Sequence, residues 1–157
     1  MFRKMRRVNQ ELTKEKCINI LKSQPRGVLA IAEEDSYPYA LPMNYIYLNE
    51  KLYFHTAKSG HKLDALEKDN RVSFCVMDEG FHKEDDWALF INSIIVFGKI
   101  NNIKEHDKKL EILKEIHIKY YPDSFKLTEE KIEQKVDAIN ILELSIDYMS
   151  GKIVHEK

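Results

Sequence analysis

Apolar and polar positions alternate along the first third of the chain in a pattern that predicts one helix followed by strands. Thr13 has the side chain of a helix N-cap, and apolar residues follow it at helical spacing through about Ser23. These residues are Cys17, Ile18 and Leu21. Strand-like runs then cover residues 27–32, 39–48 and 52–56, with polar turns at 33–36 and 49–51. Pro42 lies inside the second run and cannot donate to a ladder, so we expect that strand to lie at a sheet edge or to be distorted.

The rest of the chain predicts a mixture of strands and helices in which strands are not regularly separated by helices. In chain order the segments are a short helix over 61–68, a strand over 71–77, a polar mobile loop over 78–86, one bent strand or a strand pair over 88–103, a helix over 104–120, a short helix over 128–135 and a strand over 139–148. Gly98 is expected to mark a bend or bulge. Runs of adjacent strands argue against a parallel, doubly wound sheet. They favour an α+β fold, mostly β, built as an antiparallel sheet or barrel with peripheral helices.

Length and composition are those of one folded domain, and we expect residues 1–157 to form it. Hydrophobic residues make up 43% of the chain and charged residues 32%, which argues against a disordered protein. The formal net charge of −1 argues against a dedicated nucleic-acid-binding protein, because such proteins neutralise phosphates with an excess of cations. The five glycines form neither a G-x-G-x-x-G dinucleotide motif nor a P-loop.

Cysteine usage and the lack of long apolar runs bear on the cellular compartment. Cys17 and Cys75 match no C-x-x-C pattern and favour reduced thiols inside the cell. The basic start of the chain is not followed by the apolar run of a signal peptide, and no apolar stretch is long enough to cross a bilayer. We therefore expect a cytoplasmic protein. Histidines and cysteines show no metal-ligand spacing, so no metal site is expected.

The segment 55–62, HTAKSGHK, has the composition of a phosphate site. A strand is predicted to end here, a small-residue turn follows, and a helix begins whose free N–H groups and dipole favour an anion. Lys62 supplies a positive charge and His61 a hydrogen-bond donor. An ordinary helix start would look similar, with Ser59 or Gly60 as the N-cap and solvated lysines nearby. Basic residues oppose the dipole at a helix start, however, and this placement indicates a nearby anion.

Three single residues are further candidates. Asn44 follows Pro42 closely, and its amide could read the edge of a ring; simple solvent exposure is the alternative. Ser93 interrupts an apolar run and could hydrogen-bond to a ligand, or else to nearby backbone. Trp87, the single tryptophan, ends an acidic loop. We expect Trp87 to pack on the core rather than at a subunit interface.

Taken together, the motifs resemble those of the pyridoxamine 5′-phosphate oxidase-like superfamily of FMN-binding split barrels, and more closely its nitroimidazole-resistance branch. The matching segments are Met5-Arg6-Arg7, Gly27-Val28-Leu29-Ala30, Tyr37-Pro38-Tyr39, Leu41-Pro42-Met43-Asn44-Tyr45, Tyr53-Phe54-His55, Gly60-His61-Lys62-Leu63-Asp64 and Ser93-Ile94-Ile95-Val96-Phe97-Gly98. The likeness covers roughly residues 5–100. It implies a homodimer of split barrels with one FMN at each end of the interface.

The resemblance also implies which residues contact the cofactor. The phosphate and ribityl chain would be held by His55, Thr56, Ala57, Gly60, His61 and Lys62. The isoalloxazine ring would lie along Pro42, Met43, Asn44 and Tyr45, with Ser93 near the same cofactor. No catalytic acid is assigned.

The function that the resemblance implies is an FMN-dependent oxidoreductase that takes electrons from NAD(P)H and reduces a small acceptor such as a nitroaromatic. The arginine-rich contacts of true pyridoxamine-phosphate oxidases are not evident, so vitamin B6 chemistry is not expected. The segment 78–89 has its own sequence and is a plausible substrate gate. Two alternatives stay open, which are a flavin-binding or sensor module without turnover and a split barrel that binds another cofactor, such as haem.

Overall fold

The computed structural model describes residues 2–33 and 36–155. The helices are α1 (Lys14–Ser23), α2 (His61–Lys68), α3 (His106–Tyr120) and α4 (Phe125–Lys135). The strands are β1 (Arg26–Ile31), β2 (Tyr39–Asn44), β3 (Ile46–Leu48), β4 (Lys51–Thr56), β5 (Arg71–Met77), β6 (Phe81–His82), β7 (Leu89–Ile103) and β8 (Asn140–His155). Within the described ranges, none of the helices combines the length and the apolar character that a membrane span requires.

All strands join one antiparallel sheet in the order β2-β1-β5-β7-β8-β4-β3, and β6 pairs with β7 at its side. The sheet curls into a half-barrel and the helices pack around it, which confirms the predicted α+β split barrel. Pro42 lies in β2, which is an edge strand. No strand pairs with the open side of β2, so the missing N–H of Pro42 costs no hydrogen bond there. The expectation for Pro42 is therefore confirmed.

Local sequence signals predicted several elements correctly. The Thr13 side chain accepts a hydrogen bond from the backbone N–H of Lys16, as an N-cap does. Helix α2 occupies the predicted range. Strand β7 is one long strand whose register with β8 shifts at Gly98, where a Cβ would lie 2.1 Å from the carbonyl oxygen of Ser145. The bend predicted at Gly98 thus marks a close approach of two backbones.

Other boundaries differ from the prediction. The run over 39–48 is two strands, because the chain leaves one ladder at Tyr45 and joins another. The polar segment 78–86 contains the short strand β6, and Asp78 ties it down by accepting hydrogen bonds from the backbone N–H and side chain of Asn92. The last strand continues to His155, since its second half pairs with β7.

The core consists of two apolar clusters on the two sides of the sheet. Inside the half-barrel, Tyr45 and Phe54 each meet Phe74 edge-on, with ring centroids 4.9 and 5.1 Å apart. The second cluster lies between the sheet and α3. Its members include Ile46, Tyr53, Ile103, Ile112, Ile116 and Ile141. These two edge-to-face contacts join β4 and the β2–β3 connection to β5 across the inside of the half-barrel.

A buried carboxylate links α3 to the sheet. Glu143 on β8 accepts hydrogen bonds from Lys51 and Lys108, each with an N–O distance of 2.7 Å. Burial alone would raise its pKa, but these bonds and one with Tyr53 lower the pKa of Glu143 to about 2. The carboxylate thus stays ionised and holds β4, β8 and α3 together over the whole physiological pH range.

Polar groups of α3 stabilise the break between β2 and β3. The backbone N–H of Tyr45 donates to the Tyr120 hydroxyl over 2.8 Å, and that hydroxyl can donate in turn to the carbonyl of Tyr45 or Pro25. The Lys119 amine donates to the carbonyls of Tyr45 and Gln24 and lies 4.3 Å from the Tyr45 ring centroid. These side chains replace the ladder bonds that the backbone loses at the break.

We predict that Tyr120→Phe lowers the free energy of unfolding by about 1–3 kcal/mol, because it leaves the backbone N–H of Tyr45 without an acceptor. The midpoint of urea unfolding, followed by circular dichroism, measures the change. Tyr37→Phe is the matched control, since Tyr37 is 90% exposed. Equal midpoints for the two variants would contradict the role given to Tyr120.

Candidate functional site

A cavity of about 560 Å³ lies where the two edges of the curled sheet face each other. Strand β2 supplies one wall, the end of β4 the other, and α2 contributes one lysine. The lining residues are Pro42, Met43, Asn44, His55, Thr56, Ala57, Lys62 and Ile139. Seven of these eight are residues that the sequence singled out, although they come from three separate segments. The volume falls within the range of about 300–1,000 Å³ that small-molecule sites have.

Asn44 is oriented by its neighbour on β1. Its side-chain oxygen accepts a hydrogen bond from the Arg26 guanidinium at 3.1 Å, and the two residues are opposite each other in the β1–β2 register. The amide nitrogen of Asn44 is thereby left to donate. At the wall of the cavity, an amide fixed in this way can donate a hydrogen bond to a ring carbonyl or ring nitrogen of a ligand.

Lys62 places a positive charge beside the cavity without a matching carboxylate. Its amine lies 3.6 Å from the sulfur of Met43, and no ion pair joins it to another described residue. Burial lowers the pKa of Lys62, since the charged form loses hydration. An anion in the cavity would stabilise the charged amine and so offset its lost hydration. Burial, and then the nearby Lys62, also lower the pKa of His55, which favours the neutral imidazole at pH 7.

The start of α2 lies next to this cavity. Gly60 is its N-cap residue with φ +133°, a conformation that suits glycine, and among the described residues no side chain caps the helix. His61 is exposed, pairs with Glu33 and stacks on Tyr39 with ring centroids 4.4 Å apart. Gly60 and His61 therefore stand beside the cavity wall rather than in it. The backbone N–H groups of His61 and Lys62 have no acceptor among the described residues and can bind an anion, whereas that of Leu63 donates to the carbonyl of Gly60.

Two predicted residues are not brought to the cavity. The side chain of Tyr45 is fully buried in the core, and its backbone N–H and carbonyl bind the Tyr120 hydroxyl. Ser93 lies on the outer face of β7, remote along the sheet order from β2 and β4. Ile139 was missed. It precedes β8, and only the pairing of β8 with β4 reveals that it reaches this wall.

Ser93 shares the outer face of the sheet with several exposed apolar side chains. Val28, Cys75 and Ile95 are successive partners across β1, β5 and β7, and Met77 is opposite Ser93. Val28, Met77, Ile95 and Phe97 are exposed, Met77 by 59%. The expectation that Trp87 packs on the core is wrong, since this residue is 74% exposed.

Comparison with solved structures shows that known proteins share the fold of this chain. A candidate 5-nitroimidazole antibiotic resistance protein from Bacteroides thetaiotaomicron is 22% identical with a TM-score of 0.79, covering 92% of this chain and 87% of that one. An FAD and haem binding protein from Mycobacterium smegmatis is 20% identical with a TM-score of 0.76, covering 92% and 72%. An FAD-binding protein from Mesorhizobium loti is 19% identical with a TM-score of 0.66, covering 92% and 97%.

Among curated proteins no significant match is found. A family model described as pyridoxamine 5′-phosphate oxidase, by contrast, matches residues 13–153, nearly the whole chain. This match confirms the family that the motifs predicted, and the structural likeness agrees with it. The chain belongs to the pyridoxamine 5′-phosphate oxidase family.

Proposed function

We propose that the protein is a flavin-dependent oxidoreductase whose cavity between β2 and β4 binds the FMN portion of its cofactor. The observation that carries the proposal is the half-buried amine of Lys62, which faces a cavity of suitable size and has no carboxylate partner among the described residues. Family membership and the likeness to two FAD-binding proteins also support a flavin.

The residues present fit the two ends of such a ligand. Lys62, Thr56 and the first turn of α2 would bind the phosphate through charge and backbone N–H groups. Met43 and Pro42 offer apolar surface for a ring system, and Asn44 offers its amide donor to the ring edge. FMN has an anionic phosphate at one end and an aromatic ring system at the other, and the two ends of the cavity match them.

Bound flavin would supply the redox chemistry by accepting and passing on electrons, and the protein supplies position and electrostatics. The chain has no dinucleotide fingerprint, so NAD(P)H would dock transiently over the exposed ring. His55 is held neutral beside the cavity by burial and Lys62, so its imidazole can donate or accept a hydrogen bond at neutral pH. A small nitroaromatic is the acceptor that we propose.

We further propose that a second copy of the chain covers the outer face of the sheet. Val28, Met77, Ile95 and Phe97 leave apolar surface exposed there. Ser93, expected near the cofactor, lies on this same face and not at its own chain's cavity. A homodimer could bring Ser93 of one chain to the cavity of the other. Exclusion of water from the apolar face would drive the association.

The anaerobic ultraviolet–visible spectrum of the purified protein tests the function directly. We expect bound or readily bound flavin, loss of its visible absorbance on addition of NADPH, and its return when a nitroimidazole is added. A colourless protein that binds no added flavin would refute the proposal. Flavin that NADPH cannot reduce would favour a binding module, and a haem spectrum would favour a different cofactor.

Lys62→Met should weaken FMN binding about 10- to 100-fold, the effect of losing one charge-assisted hydrogen bond to the phosphate. Riboflavin, which lacks the phosphate, should bind the variant and the unmodified protein about equally. Flavin fluorescence titration measures both affinities. Lys16→Met, on the exposed surface of α1, is the matched control and should change neither. Equal losses for FMN and riboflavin would show that Lys62 does not contact the phosphate.

Ile95→Glu should convert a dimer into a monomer, because it places a charge in the middle of the apolar face. Light scattering coupled to size-exclusion chromatography measures the mass. FMN affinity should fall in parallel if Ser93 serves the other chain's site. The control is Ile118→Glu, which changes a similarly exposed isoleucine on α3, outside this face. An unmodified protein that is monomeric would contradict the proposed dimer.

A further inference from the structure

The carboxylate of Glu33 lies beside the start of α2, where the proposed function places the flavin phosphate. Glu33 follows β1, and its side chain pairs with the imidazole of His61, the first residue of α2. Within the described part of the chain, no second ion pair reaches Glu33. The Glu33 side chain is only 16% exposed, so water replaces this partner incompletely. The chain thus holds a carboxylate of its own next to the expected anion site.

His61 has one proton-bearing nitrogen when its ring is neutral, and the structure directs that nitrogen at Glu33. The pair joins Nε2 of His61 to Oε1 of Glu33. An ionised carboxylate can only accept hydrogen bonds, so Nε2 is the donor. In the neutral ring Nδ1 then carries a lone pair and cannot donate to a phosphate. While His61 is paired with Glu33, its neutral imidazole is therefore not a ligand for the phosphate.

The imidazole of His61 is able to change partners. It is 60% exposed, and its ring stacks on Tyr39 with centroids 4.4 Å apart instead of packing into the core. The backbone N–H groups of His61 and Lys62 find no acceptor in the described residues. A phosphate bound at these groups would lie within reach of the His61 ring, because ring and N–H belong to the same residue. Glu33 and the phosphate would then compete for one donor.

Charge adds to this competition. Lys62, half-buried at the wall of the cavity, attracts the phosphate, whereas the carboxylate of Glu33 repels it. Repulsion between two anions is stronger where neighbouring atoms exclude water, as they do around the Glu33 side chain. Riboflavin lacks the phosphate and would meet neither the repulsion nor the competition for His61. We therefore expect Glu33 to act on the binding of FMN and not on that of riboflavin.

From these contacts we infer that Glu33 is an internal competitor of the flavin phosphate, which holds His61 away from the phosphate until FMN displaces it. The inference rests on the proposed function, because it takes the phosphate to bind at the start of α2. Glu33 acts through His61 and touches no part of the flavin, so it is a positioning residue. Its effect is to lower the affinity for FMN and to speed the release of FMN, which makes the flavin exchangeable.

Fluorescence titration of the flavin-free, full-length protein with FMN and with riboflavin tests the competition. Glu33→Gln keeps the shape of the side chain and an acceptor for His61 but removes the charge. This variant should bind FMN about tenfold more tightly than the unmodified protein, the effect expected when one charge-assisted hydrogen bond no longer competes. The affinity for riboflavin should not change. A gain of affinity cannot result from poorer folding, so the outcome is not confounded by stability.

Two further variants show whether Glu33 acts through His61. Glu67→Gln removes the same charge from an exposed position of α2 and should change neither affinity. His61→Phe keeps a ring that can stack on Tyr39 but has no N–H to donate. In the His61→Phe background, Glu33→Gln should lose most of its gain in FMN affinity, because the shared donor is absent. Stopped-flow displacement should show slower release of FMN from Glu33→Gln than from the unmodified protein.

Three results would overturn the inference. Weaker or unchanged FMN binding by Glu33→Gln would show that Glu33 does not compete with the phosphate. An equal gain for riboflavin would show that the substitution acts on the cavity as a whole, and an undiminished gain in the His61→Phe background would show that His61 is not involved. In each case FMN binding itself would still support the proposed function. Failure of the unmodified protein to bind either flavin would instead refute the proposed function and the inference together.

Discussion

A single residue joins the two opposite edges of the sheet, and the rest of the structure depends on that connection. The sheet begins with β2 and ends with β3, yet only Tyr45 separates these strands along the chain. A flat sheet of this strand order would place them many strands apart, each neighbour adding about 4.8 Å. The sheet must therefore curl until its edges meet. Tyr120 and Lys119 make the turn possible by binding backbone groups that no ladder can satisfy there.

The meeting of the two sheet edges also creates the candidate binding site. Because the edges meet at one residue and then diverge, a gap stays open between β2 and the end of β4, and the cavity of the candidate site lies in this gap. Strand β2 forms one wall of the cavity, and its pairing with β1 fixes the positions of its side chains. Asn44, for example, is held opposite Arg26. The start of α2 adds uncapped N–H groups beside the gap. A rigid frame thus presents one anion-binding end and one apolar end, which is the preorganisation that ligand sites need.

Sequence patterns predicted the elements that local chemistry decides and missed those that distant contacts decide. Helix α2, the capping by Thr13 and the edge position of Pro42 all follow from neighbouring residues. The break at Tyr45 could not be predicted, because the apolar run continues through it and its stabilising partner is 75 positions away. For the same reason Ile139 was missed, since only β4–β8 pairing brings it to the cavity. The core position expected for Trp87 was wrong because composition cannot show where a loop turns.

The distribution of charge, rather than its sum, is what distinguishes this chain. Its net charge of −1 is nearly balanced, but the buried acid Glu143 has two lysine partners whereas the half-buried Lys62 has no ion-pair partner among the described residues. A methionine at position 62 would fill the same space without the cost of desolvating an ammonium. Retaining this unfavourable charge at the wall of a cavity is the pattern expected where stability is given up for binding. Glu143 thus contributes to stability through its two lysines, whereas Lys62 is left available for the phosphate of the proposed flavin.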